Sequence, residues 1–133
     1  VPTGGCGIGD FSPVGIAQSI VANNSGGNCA GPITDQGYNL ESSTDGGFSG
    51  ASDLPHTNPQ FQGGLQNNGG PTQTIALQPT SPAVNKIPVN TGPGCIIGGT
   101  DPRGQPRPDY VLLLFSETTC DIGAYEVQGE LLQ

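Results

Sequence analysis

Glycine and proline interrupt this chain so often that no α-helix of three turns fits anywhere in it. Apolar residues never recur at i, i+3 and i+4 over three turns without meeting one or the other. Inside a helix a glycine costs about 1 kcal/mol relative to alanine and a proline about 3. Short strand-like pieces lie between the breaks: Ile16–Ala22, Tyr38–Glu41, Pro59–Leu65, Thr74–Leu77, Ala83–Val89, Tyr110–Phe115 and Ile122–Val127. Many short strands separated by Gly, Asn and Pro turns predict an all-β fold.

The spacing of these pieces refines the expectation. Apolar centres near Ile20, Leu40 and Phe61 lie about twenty residues apart, a period that suits the stacked coils of a parallel β-helix. A β-sandwich is the alternative. A length of 133 residues predicts one domain over residues 1–133. With 23 glycines and 13 prolines the composition approaches that of low-complexity chains, yet only 11% of residues are charged. Disordered chains usually stay open through charge, so a turn-dense β-protein is expected instead.

The net charge of −8 leaves only Lys86, Arg103 and Arg107 as strong bases. Phosphate backbones need clustered Lys and Arg, so no nucleic-acid partner is expected. Anionic membrane surfaces are disfavoured for the same reason. No run approaches the ~20 apolar residues of a membrane span, so no membrane insertion is expected. The first ten residues lack the charged and apolar parts of a signal peptide. A secreted protein of this sequence would be a processed or excised part of a longer one.

Cys6, Cys29, Cys95 and Cys120 form no close ligand pairs, which argues against a metal cluster. Wide, even cysteines in an acidic chain read as two disulfides formed in an oxidising compartment. Three connectivities are open. The pairing Cys6–Cys29 with Cys95–Cys120 is favoured because it closes two local loops.

An ordered series of motifs then appears: SIVANNSGGNCAG, GYNLES, LQNNGGPTQTIALQPTSPAVN, DPRGQPRP and CDIGAYE. From about Ser19 to Glu126 the chain resembles the C-terminal part of bacterial right-handed β-helix surface proteins, the choice-of-anchor Q domain group. The resemblance implies a secreted or surface-attached right-handed β-helix with an irregular, disulfide-tied C-terminal region, and no known reaction. The chain departs from the family pattern at Ile75, Asn85 and Ile87. A second cysteine that often precedes the GF of the pattern is missing before Gly47-Phe48, which turns Cys29 towards Cys6. The departure with most consequence is Asp109–Thr119, which reads as an insertion carrying six consecutive apolar residues.

Residues with the potential for chemistry gather near the C-terminus. A glycoside hydrolase needs two carboxyls flanking the sugar, and a lyase of this fold would need acids beside a base. Asp101, Asp109, Asp121 and Glu126 with Arg103 and Arg107 are the candidates. The favoured reading for Asp101, Arg103, Arg107, Asp121 and Glu126 is a structural ion-pair network, because the planar guanidinium fork suits carboxylates at tight corners. No catalytic residue is assigned. His56 sits in a turn sequence, with no recognisable Ser/His/Asp spacing. Lys86 beside Asn85 suggests a covalent Lys–Asn link only weakly, and Asn23-Asn24-Ser25 is a formal glycosylation acceptor. The acidity leaves room for structural calcium, but no site can be named, and no other cofactor is expected.

The run Tyr110, Val111, Leu112, Leu113, Leu114 and Phe115 is the stronger functional lead. High β-propensity without charge, Gly or Pro marks a segment that pairs with other strands. It would serve either as an internal strand or cap, or as a strand added to a neighbouring copy. The chain therefore reads as a non-enzymatic extracellular or cell-surface module, self-associating into filaments or other homomeric assemblies. A carbohydrate-active β-helix binding or cleaving an acidic polysaccharide is the alternative.

Overall fold

The computed structural model describes residues 8–9, 13–92, 94–109 and 118–129. The chain gathers into two compact units, with the boundary between Pro59 and Gln60. Among the described residues the regular structure is strand alone, with no helix. No helix is therefore long and apolar enough to cross a membrane.

The first unit contains β1 (Ile8–Gly9), β2 (Val14–Ile16), β3 (Ile20–Val21), β4 (Cys29–Ala30), β5 (Ile33–Asp35) and β6 (Leu40–Glu41). They pair in parallel as β1 with β4, β2 with β5 and β3 with β6, registering Ile8 with Cys29, Val14 with Ile33 and Ile20 with Leu40. The step of about twenty residues expected between Ile20 and Leu40 is therefore a parallel register. The next step differs: Leu40 bridges in parallel to Leu54, not to Phe61.

Two corners repeat with the same period. Gln18 and Tyr38, at φ 54° and 56°, both take the left-handed conformation just before the next pair of strands. The expected strand Ile16–Ala22 is consequently split into the end of β2 and β3. Asn39 follows the second corner and is completely buried. Its side-chain oxygen accepts the Ser19 N–H at 3.1 Å, and its amide donates to the Ile16 carbonyl at 2.9 Å and to Asp35 Oδ1 at 3.2 Å. A corner turns backbone groups away from the ladder, and an amide carrying both donors and an acceptor can satisfy them. Asn39→Ala should leave the partly buried Ser19 N–H unpaired, while the Ile16 carbonyl keeps its bond from the Gln36 N–H, and destabilise the first unit by about 2 kcal/mol, read as a lower denaturant midpoint.

Side chains complete the edge of the ladder beside β4. Asp45 Oδ2 accepts the N–H groups of Asn28 at 2.8 Å and Cys29 at 3.2 Å, which a further strand would otherwise engage. Phe48 packs with Ile16, Val21 and Cys29 to form the apolar cluster, flanked by Val14 and Ile33.

The second unit holds β7 (Phe61–Gln66), β8 (Thr74–Leu77), β9 (Ile87–Pro88), β10 (Gly99–Thr100), β11 (Pro106–Arg107) and β12 (Thr119–Cys120). All three pairs, β7 with β8, β9 with β12 and β10 with β11, are antiparallel. The parallel pairing expected of a β-helix thus does not extend to the described strands of this unit. Two of its connections, β7 to β8 and β10 to β11, are far shorter than the dozen or more residues a parallel crossover needs. Of the expected strand Ala83–Val89 only β9 is realised, and Asn85 at φ 58° breaks the extended run. Ile122–Val127 forms no strand, because its backbone groups bond to side chains instead. The core contains Ala76, Leu77, Ala83, Ile87 and Ile122, with the Cys95–Cys120 disulfide buried among them.

Candidate functional site

Asp101 organises the turn between β10 and β11. Its Oδ1 accepts the backbone N–H groups of Arg103 at 2.8 Å and Gln105 at 3.2 Å, so the carboxylate folds its own loop. Asp101 Oδ2 accepts Arg103 Nε at 2.9 Å and Nη2 at 2.6 Å, and also the Glu126 N–H at 3.1 Å. Arg103 Nη2 reaches the Glu126 carbonyl at 2.5 Å, and its guanidinium lies 3.7 Å from the Tyr125 ring centre. That distance is within cation–π range.

Arg107, carried inward at the end of β11, binds three carbonyls. Nε donates to Gly94 at 2.7 Å, Nη1 to Gly123 at 2.7 Å and Nη2 to Asp121 at 2.9 Å. Nη1 also lies 3.5 Å from Glu126 Oε2, and that oxygen accepts the Asp121 N–H at 3.0 Å. The Asp121 carboxylate takes the N–H groups of Asn85 at 2.8 Å and Val127 at 2.7 Å. Burial nevertheless raises the Asp121 carboxyl above its ordinary range, outweighing those two N–H groups and the charge of Arg107. Asp109 accepts the N–H of Gly129.

The structure thus brings Asp101, Arg103, Arg107, Asp121 and Glu126 together in one clasp. Asp101, Arg107, Asp121 and Glu126 are each at most 7% exposed. A carboxylate that acts on a sugar must face it, whereas these oxygens face backbone N–H groups and guanidinium. Cys95 and Cys120, bonded at 2.01 Å, tie the segment before the clasp to β12. Cys29 is buried in the first unit, while Cys6 and its expected bond lie outside the described residues. Tyr110 to Phe115 lie outside them as well. Among the described residues no group of three or more His, Cys, Asp or Glu is arranged to hold a metal ion.

A second set of polar groups, in the first unit, escaped the sequence reading. Glu41, on β6, is completely buried. Its Oε1 accepts the Gly46 N–H at 2.8 Å and lies 3.1 Å from the Ser43 hydroxyl, and Ser43 in turn contacts Asp45 Oδ1. Asn28 Nδ2 donates to the same hydroxyl at 3.0 Å. Burial, with the neighbouring Asp45 carboxyl, raises the Glu41 carboxyl, while hydrogen bonds from Ser43 and Glu41 hold Asp45 well below the usual range.

Asp53 and Asp35 form a comparable pair around Asn39. Asp53 accepts the N–H groups of Asn39 at 2.9 Å and Gly50 at 2.8 Å. Asp35 accepts the Gly37 N–H at 2.9 Å. Burial and the hydrogen bond from Asp35 raise the Asp53 carboxyl. Burial acts the same way on Asp35, but the hydrogen bonds from Asp53, Gly37 and Asn39 outweigh it, and its carboxyl is lowered. The available signal was five acids before Pro59 with no lysine or arginine to pair them.

Compared with protein-family models, curated proteins and solved structures, the chain finds no match.

Proposed function

We propose that the protein is a non-catalytic extracellular or cell-surface structural module that self-associates through its apolar run. The observation that carries the reading is the clasp, whose charged groups are spent on backbone carbonyls and N–H groups. Both arginines of the chain belong to it. The carbohydrate-active alternative would draw on the same residues and loses its best candidates. The Cys95–Cys120 bond supports an oxidising compartment. The parallel registers of the first unit, about twenty residues apart, support a short β-helix there. A right-handed winding is the usual hand of parallel crossovers.

Self-association rests on the uncharged sequence Tyr110–Phe115. Size-exclusion chromatography and electron microscopy of the chain should show assemblies larger than one copy. Leu113→Asp should abolish them and leave a folded monomer, because a carboxylate cannot be buried unpaired between strands. A native chain that stays monomeric, or a variant that fails to fold, would overturn the reading.

A further inference from the structure

We propose that the first unit is closed by two proton-sharing carboxyl pairs, Glu41 with Asp45 and Asp53 with Asp35, and that it loosens when those protons leave.

Ser43 Oγ contacts Glu41 Oε1, Asp45 Oδ1 and Asn28 Nδ2. Asn28 Nδ2 is a donor, so one hydroxyl proton would have to serve both carboxyl oxygens. A second proton on Glu41 completes the chain: Glu41 donates to Ser43, and Ser43 donates to Asp45. The other Glu41 oxygen is buried with no hydrogen-bond partner among the described residues. It lies close to Phe48, Cys29 Sγ and Gly46, in surroundings that disfavour a charged carboxylate.

Asp53 and Asp35 both take N–H groups of Asn39 on their Oδ1 atoms and converge beside it, and two carboxyls sharing one place favour a proton on one of them. Their Oδ2 atoms both border Gly50. The residues up to Pro59 include no lysine or arginine, and His56 is their only basic side chain. The titratable groups around Glu41 are Asp45 and Cys29, and the one facing Asp53 is Asp35. No lysine or arginine of this segment can hold either pair, and a shared proton can.

The sign follows for each pair. One carboxyl is lowered and its partner raised. Below the ordinary carboxylate range the unfolded chain binds more protons, so stability rises with pH. Above that range the folded chain retains the extra proton, and stability falls until the raised carboxyl ionises. The first unit should be most stable near pH ~4, where unperturbed Asp and Glu titrate.

Hydrogen exchange of the full chain, read by mass spectrometry with the intrinsic pH dependence removed, tests this. Amides of β3 and β6 should lose protection by about tenfold or more between pH ~4 and pH ~8. The double substitution Glu41→Gln and Asp53→Asn supplies neutral donors and should flatten that profile. The profile of β8 should be the same in both proteins. Equal slopes for β3 and β6 in the two chains would overturn the proposal. If the variant does not fold, infrared spectroscopy of the native chain decides. A protonated-carboxyl band confined to residues before Pro59 by isotope labelling should persist above the ordinary carboxylate range, and its loss within that range would overturn the idea.

Discussion

Replacing Arg107 by alanine is expected to destabilise the second unit by about 3–5 kcal/mol, the usual cost of stripping one partner from a buried ion pair. The loss has two parts. Glu126, fully buried, loses the guanidinium 3.5 Å from its carboxylate. The carbonyls of Gly94, Gly123 and Asp121 lose their donors together. Arg107→Lys should recover little, because one ammonium cannot present the three-way planar fork that these carbonyls surround. Urea denaturation of both variants checks this. An alanine variant within 1 kcal/mol of the native chain would show that the clasp carries little of the unit's stability.

Removing the Cys95–Cys120 bond is the second large perturbation. It closes a loop with a sequence separation of 25, which in the chain-entropy model contributes roughly 3–4 kcal/mol. Both sulfurs are buried beside Ile87, so Cys95→Ala with Cys120→Ala also leaves a gap in the core. The double variant should melt well below the native chain. Because β9 pairs with β12 only over Ile87–Pro88 and Thr119–Cys120, the flanking amides of Lys86 and Val89, bonded to the Cys120 and Thr118 carbonyls, should lose exchange protection first. Unchanged protection there would place the stabilising contacts elsewhere.

Strand character was legible because Gly, Pro and Asn placement dictates it. Thr74–Leu77 is a strand with the bounds read from the sequence, since uncharged β-formers flanked by turn residues leave the backbone few other options. The step from Ile20 to Leu40 was legible because its apolar centres repeat at that spacing, and Asn39 satisfies the corner that Tyr38 turns at φ 56°. The next step was not. Leu54 takes the place of Phe61 as the partner, with the Asp53 side chain bonding the adjacent Asn39 N–H, and periodicity contains no information about side chains substituting for strands. In the clasp, residue identities were readable from the meeting of two arginines with nearby acids. Most of the partners were not, because four of the guanidinium contacts and most of the carboxylate contacts go to backbone atoms, which every residue possesses. The acid pairs of the first unit were hidden for another reason: a shared proton leaves no mark in a charge count.

The Asp45 contacts beside β4 have a consequence for how copies of this chain could grow on one another. A strand arriving at that edge would have to strip the carboxylate from Asn28 and Cys29 before making its own bonds. That edge is a chain stopper, and the described parallel pairs leave β1, β2 and β3 on the opposite side of the ladder. Any fibre that used this unit for parallel pairing would elongate with a fixed polarity, adding at one face and inert at the other.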